Sequence, residues 1–287
     1  MRGFIKRIMG VCVSMGIALF SPVAGAVDNT ALQQKTFREH TATYGLVYLM
    51  SREAAPILFN EIHPRLRQRL LKLGLRDEAN TFNLAHVTVV HIHSTDPGTP
   101  EKMLQALPGN PSVLNVKLKD FSVTFAAKGA EVPWWFDLGV VKQGQGYKEM
   151  MSYNTLASAA LTPLRDGPLP RCTGPVFARM SDAAKDLVVG YGVSGINVIQ
   201  DGKETAAHNP HNTLVYSMTP LDAATEGALK AFASELNAAV PDGIDIQFTD
   251  MSIVEIGFMG NVLREFYRIN LENGEVREAS TGKRIVR

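Results

Sequence analysis

Two short runs in this chain begin alike, His86-Val87-Thr88-Val89 and His211-Asn212-Thr213-Leu214, and each opens a longer β-type stretch: AHVTVVHIH from Ala85 to His93 and HNTLVYSM from His211 to Met218. Side chains two apart on a strand share a face, so His86 and Thr88 point one way while Val87 and Val89 point the other. The same parity sets His211 and Thr213 against Asn212 and Leu214. Such strands must bury their aliphatic side under other elements and present an imidazole and a hydroxyl to a cleft. A third H-x-T, His93-Ser94-Thr95, runs into the turn residues Asp96-Pro97-Gly98 and lacks that setting.

The remaining periodicity predicts a mixed α and β protein. Thr43 to Met50 (TYGLVYLM) reads as a strand. A helical pattern from Ala54 to Leu75 follows, with Ile57, Leu58, Ile62, Leu66, Leu70 and Leu73 at helical spacing and Pro64 placed to split it. A short helix from Pro100 to Leu107 precedes strands from Val113 to Phe125 and from Trp134 to Val141. The second half predicts helices from Tyr147 to Leu164 and from Asp222 to Ala239, then strands from Ile244 to Ile256 and from Val262 to Leu271. Each half therefore reads as strands wrapped around helices with one His-x-Thr strand apiece, a weak duplication of pattern.

The N-terminus has the layout of a secretory leader: Arg2, Lys6 and Arg7, an apolar stretch from Ile8 to Phe20, then Pro22 and the exit Ala24-Gly25-Ala26. Cleavage after Ala26 would leave a periplasmic or secreted chain of residues 27–287. The apolar run falls short of the roughly 20 residues of a spanning helix, which favours a cleaved leader over a membrane anchor. No later span predicts stable membrane insertion. Cys12 would leave with the leader, and Cys172 alone cannot form an intramolecular disulfide; no His or Asp lies near it in sequence to make it a nucleophile. Losing Arg2, Lys6 and Arg7 turns 29 basic against 28 acidic residues into 26 against 28. That balance argues against tight binding to long nucleic acid, which needs many Lys and Arg contacts to phosphates. A small nucleotide or a short RNA end suits it better.

Two imidazoles meeting across a cleft can act on one phosphate. One neutral ring takes a proton from the attacking water and one imidazolium protonates the leaving oxygen. The hydroxyls of Thr88 and Thr213 would donate to the non-bridging oxygens. The pair needs no metal or other cofactor.

Set in strands in two similar halves, His86-Val-Thr88-Val and His211-Asn-Thr213-Leu resemble the paired motifs of the 2H phosphoesterase superfamily, which includes 2′-5′ RNA ligase and 2′,3′-cyclic phosphodiesterase proteins. The resemblance spans residues 40 to 272. It implies an α+β, bilobal fold with pseudo-twofold symmetry, two antiparallel sheets facing each other across a central cleft with helices outside, and metal-free hydrolysis of cyclic or 2′-linked phosphodiesters. By matched position, His86 and His211 become the acid and base, in an order the sequence leaves open, and Thr88 and Thr213 the phosphate ligands. Two departures stand out. The motifs are 125 positions apart, so the segment from about 165 to 209, which contains Asp166-Gly167-Pro168 and Gly190-Tyr191-Gly192-Val193-Ser194-Gly195, reads as an insertion that could cover the groove. The leader is the second, because the better known members act on RNA inside cells.

Other candidates have simpler readings. His86 and His91 lie at opposite parity and should not converge without a bulge, which speaks against a zinc site built from His86, His91 and His93. His40, His63 and His208 read as surface or capping residues. Of the adjacent Trp134 and Trp135 one should be buried, and Trp135 is the candidate platform for a base. Gly144-Gln145-Gly146 and Gly190-Tyr191-Gly192 lack the flanks of a dinucleotide site and read as loops. The two rival functions are a binding protein that recognises a nucleotide or other phosphorylated ligand without turnover, and a hydrolase in which a metal does the work.

Overall fold

A computed structural model describes residues 43–77, 84–94, 96–109, 111–125, 134–164, 198–200, 203–205, 208–217, 219–257 and 260–286. The leader, His40, Cys172, the Gly190–Gly195 run and most of the expected insertion lie outside the described residues. Within the range of the expected insertion, β5 (Val198–Gln200) pairs with β6 (Lys203–Thr205) as a small antiparallel ribbon.

The other strands are β1 (Thr43–Leu49), β2 (His86–His93), β3 (Leu114–Phe125), β4 (Trp134–Val140), β7 (His211–Ser217), β8 (Ile244–Phe248), β9 (Asp250–Ile256), β10 (Val262–Asn270), β11 (Val276–Glu278) and β12 (Arg284–Ile285). They form two antiparallel sheets, one in the order β12-β11-β10-β9-β1-β2 and one in the order β7-β4-β3-β8. The motif strands β2 and β7 each occupy an edge. The fold is α+β, as expected, but its sheets are not the two halves of the chain. The six-stranded sheet joins β1 and β2 to the C-terminal strands, and the four-stranded sheet is built mostly from the middle of the chain. The expected strand from Ile244 to Ile256 accordingly breaks at Thr249. Ile244, Ile246 and Phe248 bury one face of β8 against β3, and β9 crosses to the other sheet to pair with β1.

Four helices are described: α1 (His63–Lys72), α2 (Thr99–Ala106), α3 (Gly144–Leu161) and α4 (Ala223–Ala239). The larger of two hydrophobic clusters among the described residues runs beneath both sheets, with Trp134, Tyr48, Phe136 and Phe248 among its largest fully buried side chains, and a smaller one gathers Val47, Leu49, Val254, Ile256 and Val262. Burying one such ring contributes roughly 2–3 kcal/mol, so these aromatics hold the sheets and helices together more strongly than any surface ion pair. Asp222 caps α4 by accepting from the Thr225 amide at 2.6 Å. In β3, Asp120 adopts φ 68° where the register shifts, and Asn237 of α4 brackets the break: it accepts from the Phe121 amide at 2.8 Å and donates to the Phe121 carbonyl at 3.0 Å.

Pro64 divides its helix in an unexpected way. It lacks the N–H that would bond back to Asn60, so the preceding turn widens into a π-helical turn over Leu58–Ile62, and α1 begins at His63 with the proline in its first turn. The α3 helix begins earlier than expected, at Gly144. The Gly144-Gln145-Gly146 run is therefore its first turn rather than a loop. A Cβ on Gly146 would lie 1.8 Å from the Asn115 carbonyl oxygen, so only glycine lets the helix approach β3 this closely.

His63 and His208 are buried rather than on the surface, at 5% and 8% exposure. His63 packs edge-on against Phe59 with ring centroids 5.0 Å apart. Burial, aided by Arg67 and Arg52, lowers its pKa to about 4 from an ordinary value near 6.5. Between those values the unfolded chain binds a proton that the folded chain refuses, so this contribution to stability is intact above pH 6.5 and lost as the pH falls toward 4. We predict that acidification from pH 7 to 4.5 lowers the urea midpoint less in His63→Phe than in the parent, the difference amounting to about 2–3 kcal/mol. An identical decline in both chains would contradict this.

Candidate active site

The two motif strands share one irregularity. Along β1 and β2 the register passes from Leu46↔Val90 to Val47↔Thr88, leaving Val89 as an extra residue. Along β4 and β7 it passes from Phe136↔Val215 to Asp137↔Thr213, leaving Leu214 as the extra residue. Each bulge falls at the fourth position of its motif. It turns two consecutive aliphatic side chains inward, Val89 with Val90 and Leu214 with Val215, all at most 2% exposed. Strict alternation therefore fails after the threonine, and the side chain five positions after the histidine returns to the histidine's face. On β2 this is His91, whose Nε2 lies 3.3 Å from the Thr88 hydroxyl. On β7 it is Tyr216. The expectation that His86 and His91 diverge held only without a bulge, and the bulge at Val89 reverses it.

The edges carrying the motifs are tied together. Asn212 projects away from the His211 face and donates from Nδ2 to the backbone carbonyl of His86 at 3.0 Å. From behind, Asn154 of α3, fully buried, donates to the carbonyl of the bulged Val89. The residue between His211 and Thr213 is thus the link between the two motifs.

Both imidazoles are held alike. His86 Nδ1 lies 2.8 Å from the Leu84 carbonyl and His211 Nδ1 lies 2.7 Å from the Asn209 carbonyl, in each case two residues upstream. A carbonyl only accepts, so Nδ1 carries hydrogen in both rings, and Nε2 bears the lone pair when either ring is neutral. His211, Thr213 and Thr88 are half-buried, as is His86.

The neighbours across each strand differ. Thr88 is opposite the fully buried Val47, whereas Thr213 is opposite Asp137, a carboxylate 7% exposed. The Thr213 hydroxyl donates to Asp137 Oδ1 at 3.0 Å, and the same oxygen lies 3.8 Å from His211 Nε2. Burial pushes the Asp137 carboxyl up; the neighbouring His211 and hydrogen bonds from Thr213, Thr124 and Trp135 oppose that rise. Asp137 was not singled out from the sequence. Its signal is the alternation of Trp134-Trp135-Phe136-Asp137-Leu138, which places Trp135 and Asp137 opposite the buried Trp134, Phe136 and Leu138.

Trp134 is fully buried and its indole N–H donates to the Thr219 carbonyl at 2.8 Å. Trp135 is half-buried and stacks on Tyr216, with ring centroids 5.5 Å apart and 17° between planes. The corresponding pair on the other sheet is His91 beside Gly45, where a Cβ would lie 2.4 Å from Ile256 Cδ1. Among the described residues no three His, Cys, Asp or Glu side chains gather where they could hold a metal ion. A cavity of about 610 Å³ between the start of α3 and strands β3 and β8 is lined by Asn115, Lys117, Gly146 and Asp245 among others, and contains none of the motif residues.

Fold and site together define an α+β protein with two antiparallel sheets and a polar, histidine-bearing seam where their edges meet. No family model matches the chain, and no curated protein matches it by sequence. Solved structures with a similar chain path include a phosphoesterase (11% identity, TM-score 0.39, covering 85% of this chain and 95% of that one). Escherichia coli LigT complexed with NADP+ is another (10%, 0.34, 86% and 96%), as is Kluyveromyces marxianus Usb1 (8%, 0.37, 81% and 98%). At such identities and TM-scores these likenesses carry no functional weight, and the chemistry is read from the side chains.

Asn212→Leu tests the link between the motifs. The substitution removes one hydrogen bond and leaves the part-buried His86 carbonyl without that donor, a loss of about 1–3 kcal/mol. The midpoint of thermal unfolding should fall by about 2–10 °C. An unchanged midpoint would show that the bond does not hold the edges together.

Proposed function

We propose that this chain is an exported, metal-independent phosphodiesterase that hydrolyses a small cyclic or 2′-linked phosphodiester, foremost a nucleoside 2′,3′-cyclic phosphate or the cyclic-phosphate end of an RNA fragment. The observation that carries the reading is the matched construction of the two motif strands. Each has a histidine fixed through Nδ1 on a carbonyl two residues upstream, a threonine on the same face, and a bulge immediately after it. Asn212 brings those strands side by side.

In this reading His86 and His211 serve as the acid and base through Nε2, Thr88 donates to a non-bridging oxygen, and Thr213 does so once its hydroxyl turns from Asp137 to the bound phosphate. These hydrogen bonds strengthen as negative charge builds in the transition state, which is how they would raise the rate rather than only the affinity. Trp135, stacked on Tyr216, offers an aromatic surface beside the phosphate position for a base. The leader-like residues 1–26 support export, and outside the cytoplasm scavenging of RNA fragments is a more natural task than ligation. The near-neutral charge suits a small substrate.

The test is hydrolysis of 2′,3′-cyclic AMP by the chain in EDTA, compared with His86→Ala and His211→Ala. We expect turnover in EDTA and a loss of roughly 10²–10⁴-fold in each variant, the usual contribution of a positioned acid or base. Loss of activity in EDTA would favour the metal-dependent hydrolase. Full activity in either variant would remove that histidine from the chemistry. Binding without turnover across a panel of cyclic nucleotides would make this a binding protein.

A further inference from the structure

Asp137 is a costly residue to keep where it stands. Its residue is 7% exposed, lies in register with Thr213 on β7 and Ser122 on β3, and takes hydrogen bonds from Thr213, Thr124 and Trp135. The matched place on the other sheet, opposite Thr88, is held by Val47. The backbone plan of the motif thus accepts a valine there, and packing alone gives no reason for a carboxylate. A buried ionisable group beside a cleft is a candidate for function. Burial opposes its charge, and the surrounding donors favour it. The indole N–H of Trp135 can only donate, and an ionised carboxylate accepts from each of these neighbours, whereas a protonated one would bring a hydrogen of its own.

The geometry limits how far a bound phosphate can lie from this carboxylate. Asp137 Oδ1 is 3.0 Å from the Thr213 hydroxyl oxygen, and a phosphate oxygen accepting from that hydroxyl lies about 2.8 Å beyond it, so the two anions are at most about 6 Å apart. As Thr213 turns to the phosphate, Oδ1 loses a donor while a negative charge arrives nearby.

Resting on the phosphodiesterase reading above, we propose that Asp137 is a specificity-determining residue whose carboxylate admits singly charged phosphodiesters and disfavours doubly charged phosphomonoesters. The hydroxyls of Thr88 and Thr213 and the two imidazoles receive a first charge. A second one adds repulsion from Asp137 without adding a donor. At about 6 Å and an effective dielectric constant of about 20 that repulsion weakens binding about 100-fold, and water in the half-open cleft brings the effect to roughly 10–100-fold.

Hydrolysis makes that change of charge within the site. A water oxygen bonds to phosphorus, the bond from phosphorus to one sugar oxygen breaks, and that oxygen takes up one of the water's protons. The other proton stays on the new P–OH, whose pKa is about 6, and leaves to solvent at neutral pH. A monoanion has become a dianion beside a fixed carboxylate. Asp137 therefore speeds the departure of product and keeps monoesters from occupying the site.

Two ligands that differ by one charge test this. Adenosine 3′-methylphosphonate carries a methyl group where adenosine 3′-monophosphate carries its second charged oxygen. In calorimetric titrations at pH 8 the parent should bind the methylphosphonate roughly 10–100-fold tighter than the monophosphate. In Asp137→Asn the gap should close to within about threefold, mainly because the monophosphate binds more tightly. A residue that only supported the fold would weaken both ligands alike. Asp137→Val, which copies the strand bearing Val47, should give the same result, and it serves if the asparagine variant does not fold. Equal affinities in the parent, or an unchanged ratio in the variants, would overturn the role of Asp137 and leave the two-histidine site standing. Binding of neither ligand to the parent would instead remove the phosphodiester site itself.

Discussion

The site depends on one extra residue in each of two strands. Without the bulges at Val89 and Leu214, period-two alternation would turn Val90 and Val215 toward the cleft and His91 and Tyr216 toward the core. With them, each strand keeps its histidine, its threonine and the residue five places on together on one face while two consecutive aliphatics anchor the strand below. Asn154 and Asn212 then reach in from α3 and β7 to the carbonyls of Val89 and His86. A buried carbonyl with no donor is costly, so these two amides give the irregular edge strands a definite position.

Edge strands ordinarily invite unwanted pairing. Here the two edges are turned toward each other, and their meeting place is where the polar chemistry lies. The arrangement needs sheets that draw on distant parts of the chain, since β1 and β2 are completed by β9 and the strands after it while β7 joins β4, β3 and β8. The likeness of the two sides is one of backbone. Their side chains differ, with Asp137, Trp135 and Tyr216 on one side and Val47, Gly45 and His91 on the other.

Much of this was legible in the sequence, and the exceptions have local causes. The strong periodicities located β1, β2, β4, β7 and the long helices to within a few residues, because a face must be buried whatever the details. Parity placed His86 with Thr88 and His211 with Thr213. The bulges were signalled by Val89-Val90 and Leu214-Val215, paired aliphatics inside alternating strands, and a strict reading passed over them. Asp137 was written in the alternation of its strand but shows its chemistry only when β7 sets Thr213 and His211 beside it. Thr249 gave no sign that the chain changes sheets there, since both flanking strands are equally apolar. His63 read as a surface residue because its polarity outweighed a helical position that the fold buries against Phe59.

The central claim is that His86 and His211 close on a single phosphate. Proton–carbon NMR of the histidine rings during titration with adenosine 3′-monophosphate tests it most directly. The account predicts that the His86 and His211 signals move together, saturate at one ligand per chain and follow one Kd, while the buried His63 stays still. Movement of only one of the two, or two separate saturations, would contradict it.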